Sequence, residues 1–187
     1  MAIEIPKYKV LKRERNFEIR QYNAYIAASV EVNGKDYSAA TNQGFRYIAD
    51  YIFGNNTKKI SISMTAPVLQ EKESVSEKIA MTVPVTTAKS ENIYKISFVM
   101  PSKYTLETLP LPNNHKVIIN KVPTFRAAVI SFSGLVNEKI ITKKTEELKN
   151  WVKKQKLKDT ELIQAARYNP PWTLWFLRRN EIIMQLL

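Results

Sequence analysis

The chain has 187 residues, 44% of them hydrophobic and 10% aromatic, with only four glycines, so it can build the core of one ordinary domain, and disorder, collagen-like repeats and low-complexity segments are excluded. No run approaches the roughly 18 to 20 apolar residues needed to cross a bilayer, and the opening Met1-Ala-Ile-Glu-Ile-Pro-Lys7 carries charge where a signal peptide is apolar. A soluble, cytoplasmic, monomeric protein with no membrane partner is expected. Cysteine is absent, which removes disulfides, thiolate nucleophiles and Cys-based metal sites together.

The net charge of +12 raises nucleic acid as a partner. Yet many of the lysines, from Lys139 to Lys158, lie within or just past one expected helix whose other face is apolar. A solvated helix face is the expectation, and with no helix-turn-helix or RNA-recognition signature no nucleic-acid partner is expected.

In chain order, residues 17–34 and 117–134 form the first signal, because they align at a constant offset of one hundred residues. Ile19, Ala27, Ala28 and Gly34 match Ile119, Ala127, Ala128 and Gly134, and Tyr25 faces Phe125. Each copy reads as two strands, rich in β-branched and aromatic residues, followed by a glycine and an amphipathic helix. After the first copy, Thr41, Phe45, Ile48 and Ile52 recur at helical spacing over Ser38 to Phe53, and Gly54-Asn55 supplies a stop. Extended runs are expected at Lys59–Met64, Lys78–Val85 and Ile93–Met100, separated by charged or proline-bearing turns. After the second copy, Asn137 is a candidate cap for a helix from Glu138 to Lys156, with Ile141, Leu148, Trp151 and Val152 on one side. The pattern predicts one α+β domain over 1–187 with repeat halves at about 8–105 and 106–187. Two helices would pack on a curved antiparallel sheet or open barrel.

No catalytic constellation assembles. His115 is the only histidine, in a polar turn, so multi-His zinc sites are impossible, and no Gly-x-Ser-x-Gly elbow is present. A non-enzyme is expected, with no catalytic residue and no metal ligand.

The segment Lys59-Ile-Ser-Ile-Ser-Met64-Thr-Ala-Pro67-Val68 has a partial echo in Lys78-Ile-Ala-Met81-Thr-Val-Pro84-Val85. With Phe17-Glu-Ile-Arg-Gln-Tyr22, Phe98-Val-Met-Pro101 and Tyr168-Asn-Pro-Pro-Trp172-Thr173, these motifs make nearly the whole chain resemble the SOUL heme-binding family. The resemblance implies a distorted antiparallel barrel of about eight strands flanked by two helices. It also implies heme or another tetrapyrrole bound in an apolar groove between the first helix and the segment after the proline pair. The positions implied are Asn42, Phe45, Ala49, Trp172 and Thr173, with Ile48 and Ile52 on the same helix. Asn42 and Thr173 stand where heme-binding relatives carry basic residues, so propionate pairing needs other cations. No histidine matches the family's axial ligand, so His ligation should be weak or absent. Met64 and Met81 read as core or groove lining, and Arg178, Arg179 and Glu181 as ion pairs holding a terminal strand. The alternative is an effector-binding or protein-interaction domain for another small hydrophobic ligand, which should place acidic groups in the groove.

Overall fold

The computed structural model describes residues 4–34, 36–72, 92–170 and 172–187. The chain runs β1 (Tyr8–Glu14), β2 (Phe17–Tyr22), β3 (Tyr25–Gly34), α1 (Tyr37–Ile52), β4 (Val68–Lys72) and β5 (Asn92–Val99). It continues through β6 (Ile118–Val122), β7 (Phe125–Ser133), α2 (Glu138–Lys154), β8 (Asp159–Arg167), a short 3-10 turn (Trp175–Leu177) and β9 (Arg179–Leu186). All nine strands join one antiparallel sheet in the order β1-β2-β7-β9-β8-β4-β5-β3-β6.

The helices form where their end signals are strongest. Asp36 precedes α1 in extended conformation and accepts the Ala39 amide at 2.8 Å. Asn137 does the same for α2 by accepting the Ile140 amide at 3.0 Å, in each case satisfying a backbone donor that the helix leaves unpaired. In α2, Glu138 in the first turn and Lys153 and Lys154 in the last oppose the helix dipole. Both helices cover one face of the sheet: Ala28, Val30, Ile96 and Phe98 take up α1, and Ala128, Ile130, Ile182 and Met184 take up α2. Because side chains alternate along a strand, Tyr22, Leu69, Val99, Val129 and Ile183 build a second, smaller cluster on the other face.

Two expectations are corrected. Among the described residues the sheet is open, with β1 and β6 at its borders, so in place of the distorted barrel of about eight strands these residues form an open sheet of nine. The run Lys59–Met64 is not a strand. Lys59 takes a positive φ of 52°, Ile62 turns inward to donate its amide to the Ile52 carbonyl at 2.7 Å, and Asn56 ties the segment to the Tyr51 and Ile60 carbonyls. Extended alternation there serves to seal the end of α1, and β4 begins only at Val68, past the cis Ala66–Pro67 bond. The expected run at Lys78–Val85, with Met81 and Pro84, lies outside the described residues, as does Pro171.

Gly44 sets how closely α1 approaches the sheet. A Cβ built there would lie 2.7 to 2.8 Å from three side-chain atoms of Ile96, of which the branched Cβ cannot swing aside. Gly44→Ala is therefore expected to destabilise by about 1–3 kcal/mol despite the better helix propensity of alanine, and thermal unfolding of the two proteins measures it.

Candidate functional site

On the helix-bearing face, α1 and the chain leading into α2 diverge and leave a hollow of about 240 Å³. Thr41 and Phe45 of α1 and Val68 of β4 form one wall, while Leu135 and Val136, after β7, face them. Phe45 is 37% exposed because only part of its ring packs, tilted at 5.4 Å, against Phe98 beneath. The turn that carries the opposite wall needs Gly134, whose φ is 111°. Its carbonyl accepts the Asn180 side-chain amide at 2.9 Å.

Two guanidinium groups enter this hollow. Arg167, on β8, lies 5.0 Å from the centre of the Tyr37 ring and reaches the Val136 carbonyl at 3.5 Å with Nη2, while its Nε is buried without a hydrogen-bond partner. Arg178 donates Nε to the Thr173 carbonyl at 2.8 Å. With the amides of Asn42, Asn169 and Asn180, the described lining is apolar on its walls and cationic or amide-bearing elsewhere, with no carboxylate. A surface of this kind favours a ligand that joins an apolar body to anionic ends.

The expected site residues separate. Asn42 and Phe45 line the hollow. Ile48 and Ile52 are 0% and 1% exposed in the core, so their expectation as groove lining is corrected: helical spacing assigned them to the apolar stripe, and the stripe faces the sheet. Ala49 is likewise buried. Trp172 is 82% exposed on the loop that leaves the rim, and Thr173 contributes its carbonyl to Arg178. Met64 is surface-exposed rather than core. Arg167 escaped the sequence reading because a single arginine at a strand end carries no local signal. Of the arginines expected to pair with the terminal strand, Arg179 pairs with Glu181 at 2.8 Å, and Arg178 lines the hollow. His115 sits exposed in the turn before β6.

The other charged constellation lies on the opposite face. Arg20 of β2 makes two 2.9 Å bonds to the Glu181 carboxylate of β9, a 2.6 Å bond to Glu18 and a 2.9 Å bond to the Tyr22 hydroxyl, beneath the Tyr8 ring at 4.3 Å. Tyr168 donates to Glu181 at 2.6 Å and Arg179 caps it. Burial alone would raise the Glu181 carboxyl, but the Arg20 bonds and charge, aided by Tyr168 and Arg179, hold it down at about 2. Every acceptor position facing the cluster is thus filled by the protein's own donors.

The chain is thus an α+β domain with an open groove on its helix-bearing face. The family model for SOUL heme-binding protein matches residues 3–185, and the chain belongs to that family. Among curated proteins it is similar to human Heme-binding protein 2, with 27% identity over 96% of this chain and 88% of that one. It also resembles Heme-binding protein 1 of Xenopus laevis, with 22% identity over 88% and 84%. Among solved structures, the EcmrR C-terminal domain aligns with TM-score 0.65 and 13% identity over 96% of this chain and 98% of that one. SAV2435 bound to tetraphenylphosphonium aligns with TM-score 0.52 and 13% identity over 91% and 93%. These structural likenesses show a shared fold.

The buried network has a pH signature. Because the Glu181 pKa is depressed from 4.5 to about 2, its stabilisation is complete above the unfolded value and is lost as pH falls from about 4.5 toward 2, an effect on the order of 3 kcal/mol. Melting temperatures across that window should fall more steeply for the parent than for Glu181→Gln, which should itself be destabilised at pH 7 because it leaves Arg20 undercompensated.

Proposed function

We propose that the groove between α1 and the Gly134–Val136 turn binds a tetrapyrrole, heme or an iron-free porphyrin, and that the protein holds or carries this ligand without catalysing a reaction on it. The observation that carries the reading is the pairing of Arg167 and Arg178 with the Phe45, Val68 and Val136 walls in one hollow. These arginines offer the cations that Asn42 and Thr173 lack for the ligand's propionates. The described lining has no His, Cys or Met, so binding rests on contact and charge rather than on iron ligation.

Magnitudes suit a partly enclosed ligand. The hollow, about 240 Å³, falls below the roughly 300–1,000 Å³ of ordinary ligand pockets, so it takes one edge of a macrocycle and leaves the rest against the rim bearing Trp172. Burying about 300 Å² of porphyrin at about 25 cal/mol per Å² contributes roughly 7 kcal/mol before immobilisation costs. Charge-assisted bonds to two propionates bring the total into the micromolar range, near −8 kcal/mol.

The same reading takes the chain as one cytoplasmic domain with halves at about 8–105 and 106–187. The strand order supports this, since, β1 apart, it reverses onto itself when β2, β3, β4 and β5 are exchanged for β6, β7, β8 and β9. The rival reading, an effector domain for other small hydrophobic molecules, has a fold relative described as bound to tetraphenylphosphonium. Here the described lining of the groove carries arginines and no carboxylate, the opposite of what a cation needs, and the Glu181 carboxylate behind the sheet is closed by Arg20 and Arg179.

Titration with hemin, protoporphyrin IX and the dimethyl ester of protoporphyrin IX, followed by the Soret band and tryptophan quenching, tests the reading. One-to-one saturation by hemin and by the free-acid porphyrin is expected, weakened by Phe45→Asp. About tenfold weakening is expected for Arg167→Gln and for Arg178→Gln, on the order of 1.4 kcal/mol each, and the ester should be insensitive to the arginine changes. Absence of saturable binding, or binding indifferent to Phe45→Asp, would discard the groove as the tetrapyrrole site.

A further inference from the structure

The loop between β8 and β9 has an exposed surface that the core does not use and that extends beyond the groove's rim. Within six residues, Trp172, Leu174, Trp175, Phe176 and Leu177 are 82, 58, 58, 52 and 62% exposed. Five large apolar side chains exposed this close together differ from the singly scattered apolar residues of an ordinary surface. The loop is not a frayed end. The Thr173 amide bonds the Pro170 carbonyl at 3.0 Å, Leu177 closes a turn onto Leu174 at 2.9 Å, and Trp175 and Phe176 meet edge to face at 5.6 Å. Asn169 accepts the Arg179 amide at 2.7 Å. An apolar tip is therefore held outward on a hydrogen-bonded base.

Cations lie at the same end of the sheet as that tip. The β7–β9 pairing places Arg179 beside Ser133, and the Ser131 amide bonds the Asn16 carbonyl. The β1–β2 turn, with Arg13 and the exposed Arg15, thus lies at the same end of the sheet as the loop. Of the carboxylates at this end, Glu14 is engaged by Trp151 and Gln155, and Glu18 and Glu181 by Arg13, Arg20 and Arg179, while Arg15 is exposed beside them.

We infer that the Trp172–Leu177 loop docks this end of the protein on an anionic lipid surface, its indole and aliphatic side chains entering the headgroup boundary while the arginines meet the phosphates. Tryptophan and leucine above a basic rim are the composition that such boundaries retain. A second copy of this chain is disfavoured as occupant because each copy carries a net charge of +12, which opposes self-association and attracts an anionic surface. The expectation of no membrane partner considered only spanning segments. No helix among the described residues is long and apolar enough to cross a membrane, and surface docking needs none. Since Asn169 and Arg178 also line the groove, docking would bring the groove's mouth to the lipid; this last consequence rests on the tetrapyrrole reading.

The test uses the full chain without any tetrapyrrole, so its failure and that of the groove reading show separately. Vesicles of phosphatidylcholine with phosphatidylglycerol should co-sediment the protein, those of phosphatidylcholine alone much less. Tryptophan emission should shift to the blue and be quenched by brominated acyl chains, because Trp172 and Trp175 are exposed while Trp151 is already buried. The double variant Trp175→Ser/Leu177→Ser should lose at least tenfold in vesicle affinity with an unchanged melting temperature. No vesicle binding would overturn the inference. So would binding that the double variant retains while Arg13→Gln/Arg15→Gln abolishes it, which indicates charge adsorption alone. Self-association that the double variant dissolves, without lipid binding, would assign the patch to a protein contact instead.

Discussion

A guanidinium that is 1% exposed survives burial only if its donors and its charge are met inside the protein. For Arg20 this requires Glu181 to reach it from β9 across the intervening β7, and it requires Glu18 and Tyr22 to flank it on its own strand. The residues beneath, Ala127 and Val129, are small enough to let the long side chains lie over them. The pair thereby locks the relative positions of β2, β7 and β9 on one face, while Ile19, Ile130 and Ile182 receive α2 on the other. A register slip of one residue in either pairing would send Arg20 into the helix-packed core and those isoleucines to the opposite side.

The groove inherits its position from this sheet. β8 ends at Arg167 opposite Asn180 of β9, so the strands that carry the buried pair also decide where Arg167, Arg178 and Asn180 emerge. The facing wall depends on α1, which Gly44 allows to sit hard against Ile96. Ligand chemistry therefore resides at the junction of two rigid supports, where arginines and amides line the hollow and the acid Glu181 is paired behind the sheet.

Much of the architecture was legible because it rests on local rules. Helical spacing and a capping Asn137 placed α2 within two residues of its observed end, and α1 differs from its expected span by one residue at each terminus. The two strand pairs at 17–34 and 117–134 fall where β-branched runs put them. What failed depended on particular partners rather than on pattern. The alternation of Lys59–Met64 looks extended, yet Asn56 and the Ile52 carbonyl claim that segment, and alternation does not reveal such specific bonds. Ile48 and Ile52 were rightly seen as apolar but wrongly exposed to ligand, since periodicity identifies a face without saying what covers it. Sheet closure is likewise a matter of strand curvature and long-range pairing, which composition does not encode.

An open sheet has two borders, and unpaired borders invite strand addition and aggregation. At one, β1 is interrupted by a bulge between Val10 and Lys12 and carries Lys9, Lys12 and Arg13 along an exposed strand. At the other, β6 is five residues long, bears Lys121 and is followed at once by Pro123, which has no amide to extend a ladder. Openness thus costs the chain little resistance to fibril-like growth, because each margin is too short, too irregular or too charged to serve as a template.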